Sequence, residues 1–452
     1  HPPVRAHATL HKWIKPTAPI PGSRAPKREH GSADGLASRK RLCAPVLSLG
    51  TDCSGMDAAA YALRYLGIEF QHRFATDPGD APRVFLRANY QVQRLFATMQ
   101  ERPTREFHNL GVYVAAPPCQ SFSQAGQGRG TDDPRGQLVG HCIDFISEAT
   151  PEIFILENVP GLATHNEGEL LKEIMSTLRA PQARNHSYNV SEHRANTLAH
   201  GLPHNRPRLY IVGIRKDKAK RPFVPPPELA PVSLTSLLGP ATPADDPSRL
   251  PRAPCAADIV RRQQRRIFGK TVEQDAEDWV VDDHISLKRA LKLAAPNPVV
   301  PCMLHSRDYG YWVGSRGRRL TVLESARIQG FLSTGTPVLI WPSHEAQGFQ
   351  LLGNTMSANV IGRFLLEALH ATGQYQQIVD PWSNGTAVQQ LVTCAASTVP
   401  HARLSFQPSL RPPEQQSQPV PQQQAQQVVP GHPLQPPTDW LGTSADPLVS
   451  GP

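Results

Sequence analysis

The sequence predicts an α/β fold, a parallel sheet with helices between its strands, flanked by irregular tails. Three observations predict it. Short apolar, β-branched runs recur from Val46 onward and alternate with helical stretches. Several runs stop abruptly at a glycine, a proline or a carboxylate. The 452 residues are 39% hydrophobic yet contain 46 prolines, which suits a folded centre with irregular flanks.

Residues 1–44 are rich in Pro, Lys, Arg and small residues, lack periodicity, and are expected to be disordered. Val46 to Leu49 then reads as a strand that runs into Gly50-Thr51-Asp52-Cys53-Ser54-Gly55-Met56-Asp57. Ala58 to Leu66 reads as a helix closed by Gly67. Phe70 to Thr76 is a second strand, ended by Asp77, and Pro82 to Asn89 a second helix. The apolar run Leu110 to Ala115 places a strand at 112–116, and further strands fit at 152–157 and 208–214.

Residues 216–317 break this alternation, with dense proline from Pro222 to Pro231 and a basic helical segment at Arg261-Arg262-Gln263-Gln264-Arg265-Arg266. They are expected to form a separate small domain, leaving 45–215 and 318–375 as one α/β domain. From about Asn384 the chain turns to Pro, Gln, Ser and Val, so residues 384–452 are expected to be an unstructured Pro/Gln-rich tail.

Charge and cysteine content narrow the function. The net charge is +9, and it is concentrated. Residues 1–42 hold nine Lys/Arg against two acidic residues, and residues 215–318 hold 18 against 12. Two basic segments favour a polyanionic partner, nucleic acid being the usual one, although a solubilising tail and a solvated face explain charge alone equally well. The seven cysteines are scattered and form no CxxC pair, which points away from a disulfide framework or a zinc site. No apolar run approaches the ~18 residues of a membrane span, and no segment reads as a signal peptide.

Four segments carry chemistry. In Ala116-Pro117-Pro118-Cys119-Gln120-Ser121-Phe122-Ser123, two prolines end a buried strand and leave Cys119 at its carboxyl end. That is a position for a nucleophile, although a lone cysteine is more commonly structural. Gly55, at a strand-to-helix turn, followed about 20 residues later by Asp77, is an arrangement that binds a nucleoside. Glu157-Asn158-Val159-Pro160-Gly161 puts a glutamate at the end of an apolar strand, where it needs a hydrogen-bond partner or a raised pKa. It suits a group that hydrogen-bonds a ring nitrogen; a turn cap is the structural alternative. His204-Asn205-Arg206-Pro207-Arg208 places two arginines on one face of an extended segment, able to donate to a base carbonyl or a phosphate, or to form a surface charge pair.

Together these segments resemble the cytosine-C5 methyltransferase family. Pro117-Pro118-Cys119-Gln120-Ser121-Phe122-Ser123 is similar to its nucleophile loop and Asp133-Pro134-Arg135-Gly136-Gln137-Leu138 to the stretch that follows. Glu157-Asn158-Val159 resembles its catalytic glutamate motif, and Arg206-Pro207-Arg208 its paired arginines. Arg319-Leu320-Thr321 with Glu324, Arg327, Gln329, Gly330 and Phe331 resembles the motif after target recognition. Leu352-Gly353-Asn354-Thr355 resembles the last motif, which completes the cofactor pocket. The order matches the family's, over about residues 46–372. The chain departs from it at Asp57-Ala58, where the family has two glycines, and at His204, where it has glutamine. No residue between Asn89 and Leu110 stands clearly as the acidic partner of the cofactor adenine.

The resemblance implies a Rossmann-like, S-adenosylmethionine-dependent methyltransferase domain, with a small target-recognition domain (216–317) inserted before the last motifs. It implies cofactor contacts at Ser54, Gly55, Met56, Asp77, Pro117 and Asn354. It implies attack of Cys119 on C6 of a flipped cytosine, with Glu157 at N3 and the amino group, Arg208 at O2 and Arg206 in support. Double-stranded DNA is the expected partner of a monomer. The alternatives are a tRNA cytosine-5 methyltransferase of the same fold, whose Cys-Phe-Thr signature is not found here, and a silent relative, which loses the cysteine or the glutamate. Residues 7–14 faintly resemble a sliding-clamp docking motif, with His7 where glutamine is preferred. Arg39-Lys40-Arg41 and the Pro/Gln-rich tail point to a nuclear setting, with a bacterial one as the alternative.

Overall fold

The computed structural model describes residues 46–118, 137–243, 250, 254–268, 279–284, 299–332, 337, 339–396 and 403–404. The N-terminal tail with residues 7–14, Cys119 and most of its loop, and the chain beyond 404 lie outside the described residues.

The main sheet contains β1 (Leu47–Asp52), β2 (Phe70–Thr76), β3 (Leu95–Phe96), β4 (Val112–Ala115), β5 (Ile153–Asn158), β6 (Tyr188–Asn196) and β8 (Pro207–Arg215), with the short β7 (His204–Asn205) outside it. Its order is β3-β2-β1-β4-β5-β8-β6. The first five strands run parallel. The order reverses between β1 and β4, so a crevice opens there at the carboxyl ends of the strands, where doubly wound sheets bind ligands.

The strands are apolar on both faces, and period two divides them between two cores. Val112 and Val114 of β4, Ile153 and Ile155 of β5, and Tyr210, Val212 and Ile214 of β8 face one core. Tyr113, Ala115, Phe154, Leu156, Leu209 and Ile211 face the other. Helices α1 (Ala58–Tyr65) and α2 (Asp80–Asn89) cover the first side. Helices α3 (Gln137–Ala149) and α4 (Glu169–Arg179) cover the second.

Three expectations need correction. The sheet is mixed, because β8 runs antiparallel to both β5 and β6. β6 and β8 form a hairpin, and a hairpin return fixes an antiparallel direction where a helical crossover would give a parallel one. The small-domain boundaries at 216 and 317 are also too wide. Leu234, Leu237, Leu238, Val300, Tyr311 and Val313 share a core with Ile328, Trp382 and Leu391, so the flanks pack on the α/β body. Only the middle has a small core of its own: Ile259 and Val260 of helix α5 (Pro254–Phe268), Trp279, Val281 and Trp312. Strand β11 (Trp312–Val313) pairs on one side with β9 (Val280–Val281) and on the other with β12 (Arg318–Arg319), so that sheet crosses the expected boundary.

Finally, the chain does not turn irregular at 384. The body closes with α6 (Val322–Ile328), α7 (Glu345–Asn354), α8 (Ala358–Ala371) and α9 (Thr386–Ala396), the last burying Ala387, Leu391 and Cys394. Composition hid this helix, because its apolar positions lie among Gln and Thr. Among the described residues no helix is long and apolar enough to cross a membrane.

Trp382 is nearly fully buried where α9 joins the body. Trp382→Ala is therefore expected to destabilise by about 3–5 kcal/mol, read from chemical denaturation. A chain ended at 375 should melt well below one ended at 404, and equal melting would show that α9 contributes nothing.

Candidate active site

The turn after β1 is built from left-handed residues. Cys53, Gly55 and Asp57 have φ of 50°, 55° and 53°, a conformation that glycine and aspartate tolerate best. Asp57, standing where the resembling family has a glycine, caps α1 by accepting from Ala60 N at 2.9 Å. Its other oxygen accepts from Thr51 Oγ1 at 2.8 Å and lies 3.2 Å from Nε2 of buried His72. The departure from glycine thus brings its own compensation.

Asp77 closes this corner. Its carboxylate accepts from Gly55 N and Gly79 N, each at 2.9 Å. Burial raises its pKa, against the lowering effect of those two amides and of Arg83. Each carboxylate oxygen keeps acceptor capacity after one such bond. A Cβ built at Gly55 meets nothing within 4 Å, so its backbone faces open space. An acceptor pair beside an open glycine turn fits the ribose of a nucleoside cofactor. Two expected contacts turn inward instead. Ser54 Oγ is used by Thr51 O and Thr76 O, both at 3.2 Å, and the Met56 side chain is fully buried in the core. They shape the turn around Gly55 and Asp77.

The other half of the crevice lies at the ends of β4 and β5. Asn158 Nδ2 donates to Pro117 O at 3.4 Å, fixing the root of the loop that leads to Cys119. Glu157, buried at the end of β5, is paired by Arg208 Nε at 3.0 Å. The glutamate therefore has its partner, supplied by the antiparallel neighbour β8.

Arg206 is buried and does other work. Its guanidinium donates to Met303 O at 2.9 Å, Thr355 O at 2.7 Å and Gly353 O at 3.4 Å. It thus ties β8 to the chain after the small domain and to the last motif. His204 joins it: burial, then Arg206 and Arg208, hold its pKa well below the usual value. The neutral ring accepts from Met303 N through Nε2 at 3.2 Å.

Asn354, expected at the cofactor, is exposed and pairs with His305 Nδ1 at 3.2 Å. Gly353 is the residue under constraint, because a Cβ there would lie 2.3 Å from His305 N. Thr321 and Glu324 form a capping box at α6, and Glu324 also accepts from Arg318 and from Gly239 N. Their visible task is to clasp the entering and leaving arms of the small domain.

Two further groups bear on the site without a signature in the sequence. Arg102, from an irregular stretch, pairs buried Asp52 at 2.8 Å, and Tyr113 donates to the same carboxylate at 2.7 Å. Cys302 puts Sγ 3.5 Å from Arg206 Nη1 and 3.7 Å from Arg208 Nη2. Burial pushes this thiol up, but the two guanidinium groups outweigh it and bring it below the usual value. Only its short spacing after the strand β10 (Val300–Pro301), which pairs with β7, could have hinted at this place.

A doubly wound α/β sheet with an acceptor pair beside an open glycine turn at its switch point, and a buried glutamate–arginine pair two strands along, is an arrangement suited to a nucleoside-dependent group-transfer enzyme. Within that class, the C-5 cytosine-specific DNA methylase model matches residues 52–369, and the chain belongs to that family. Among relatives, it is similar to the type II methyltransferase M.AquIA of Picosynechococcus: 39% identity over 112 residues, 24% of this chain and 45% of that protein. It is 31% identical over 166 residues to the orphan methyltransferase M.Rho11sI of Bacillus phage rho11s, covering 36% of this chain and 32% of that one. It is also 33% identical over 272 residues to the type II methyltransferase M.MthTI of Methanothermobacter thermautotrophicus, covering 56% and 76%. The chain thus spans less than half the length of the first two.

The thiol environments predict an order of reaction. Cys302 is expected to alkylate with iodoacetamide near pH 7.5, and to slow as falling pH protonates it. Cys53, pushed well up by burial, and Cys142, pushed up to about 12, should remain unmodified in the folded protein. Peptide mass spectrometry after short exposure reads this, and labelling of Cys142 before Cys302 would contradict it.

Proposed function

We propose that the protein is a DNA (cytosine-5-)-methyltransferase acting on cytosine in duplex DNA. The observation that carries this reading is the Glu157–Arg208 pair, set beside the fixed root of the Cys119 loop. The pair supplies a hydrogen-bonding carboxyl and a cation, and Cys119, which follows the described end of that loop in sequence, would add the thiol needed to activate a pyrimidine ring.

S-adenosylmethionine, held at Gly55 and Asp77, supplies an electrophilic methyl group. The chain's residues prepare the acceptor. Cys119 as thiolate adds to C6, which makes C5 electron-rich. Glu157 hydrogen-bonds N3 and the exocyclic amino group as charge develops there. Arg208 donates to O2 while keeping Glu157 in place. Arg206, its two Nη groups engaged with backbone carbonyls, holds the wall against which the ring would rest. Once C5 carries the transferred methyl group, loss of its proton to a base re-forms the C5–C6 double bond as the C6–S bond breaks and Cys119 leaves. A stacked base does not reach such a crevice, so the cytosine must be flipped out of the duplex. Arg261, Arg262 and Arg265 on the exposed side of α5 would grip the phosphate backbone.

Methyl transfer from labelled S-adenosylmethionine tests this on unmethylated duplex, hemimethylated duplex and tRNA. Label is expected in duplex DNA. Cys119→Ala should abolish it, and Glu157→Gln should lower kcat by about 10²–10⁴-fold with cofactor binding retained. Label in tRNA alone would move the activity to RNA, and label that survives Cys119→Ala would remove the thiol mechanism.

A further inference from the structure

The loop 302–311 leaves the active-site wall and returns to it. Cys302 starts it against Arg206 and Arg208, and Tyr311 OH closes it by donating to Cys302 O at 2.9 Å. Inside, Arg307 N donates to Leu304 O at 3.0 Å, and Arg307 Nε reaches both Asp282 oxygens at 2.9 Å. The close approach of Gly353 beneath His305 seats it on the last motif. The loop is therefore held at both ends and in the middle.

Yet it shows apolar surface to solvent. Leu304 is 40% exposed and Tyr309 61%, two of only five large hydrophobic side chains exposed among the described residues. The Tyr309 ring is stacked on His284 at 5.5 Å and 11°, and Arg319 Cζ lies 5.9 Å from its centroid. His284 is itself fixed by its ring nitrogen against Gly310 O at 3.1 Å. The nearby cations are already spoken for: Arg319 pairs with Asp283 at 2.7 Å and Arg307 with Asp282. The cluster thus has little charge left for a phosphate. What it presents is an electron-rich aromatic surface on a loop whose two ends are anchored at the active-site wall.

We propose that Tyr309 is a positioning residue for the DNA, its ring taking the face of a base in the duplex opened beside the target cytosine. Aromatic rings receive unstacked bases through their faces, without regard to sequence, and a fixed ring loses little freedom on binding. This rests on the DNA methyltransferase reading and adds a contact outside the reacting groups.

Fluorescence anisotropy on duplex DNA with a single unpaired nucleotide beside cytosine, and on the fully paired duplex, tests it together with steady-state methylation. Tyr309→Ala is expected to weaken binding and raise KM by roughly five- to a hundred-fold, with the greater loss on the unpaired duplex. Tyr309→Phe should restore binding. Because no phosphate contact is removed, the slope of log Kd against log salt should not change, nor should the melting temperature. Binding by Tyr309→Ala within twofold of the parent overturns the proposal. So does a salt slope reduced by about one, which would make this a backbone contact. If the parent protein neither binds nor methylates DNA, the functional reading itself fails; an active parent with an unaffected Tyr309→Ala removes only this contact.

Discussion

The structure depends on satisfying carboxylates buried at the carboxyl ends of a sheet. Asp52, Asp77 and Glu157 all end strands with apolar neighbours, and a buried charge without a partner costs several kcal/mol. Each is answered by a different means. Asp52 draws in Arg102 and Tyr113. Asp77 takes two backbone amides, and Glu157 takes Arg208. Each solution also positions something: the loop before β4, the glycine turn after β1, and the start of β8 against the end of β5. The rim of the sheet is organised by electrostatic need, and the ligand crevice lies within that organisation.

Arg206 extends the same logic across the chain. It satisfies carbonyls of Met303, Gly353 and Thr355, which belong to segments separated from it by about a hundred residues or more. A planar group with five donors suits this task, where a lysine would serve fewer acceptors in fixed directions. His204, neutral beside two arginines, completes the joint by accepting from Met303 N. The two departures from the family pattern, Asp57 and His204, are each absorbed by local hydrogen bonding. Neither needs the neighbouring motif to move.

Much of this was legible in the sequence, for identifiable reasons. Strands β4, β5 and β8 carry continuous apolar runs, and β1 and β2 mix apolar with polar residues up to a polar stop, so period and breakers located them. The edge strand β6, Tyr188-Asn-Val-Ser-Glu-His-Arg-Ala-Asn, has too few apolar residues to announce itself, and the direction of β8 was lost with it. Gly55, Asp77 and Glu157 were legible because strand ends aim them at one rim. The partner of Glu157 was not, since antiparallel register decides that Arg208 arrives there. Cys302 and Arg102 come from stretches without periodicity, and only tertiary packing gives them meaning. Ser54 and Met56 show the opposite failure: proximity in sequence to the glycine turn suggested contact, while the chain geometry turned both inward.

The closing contacts also set a schedule for synthesis. Tyr65, at the end of α1, donates to Gln390 of α9 across 325 residues of chain at 2.7 Å, and its neighbour Tyr61 accepts from Leu332 N. The flank of α1 that carries Tyr61 and Tyr65, unlike the side packed on the sheet, therefore has no cover until the last helices emerge from the ribosome. At translation rates of about 5–20 residues per second, that wait is on the order of 15–65 s. Through that interval the part of the core that α8 completes, Tyr210 and Val212 of β8 included, stays open. Expression that is cut short before α8 and α9 should therefore favour aggregation over folding.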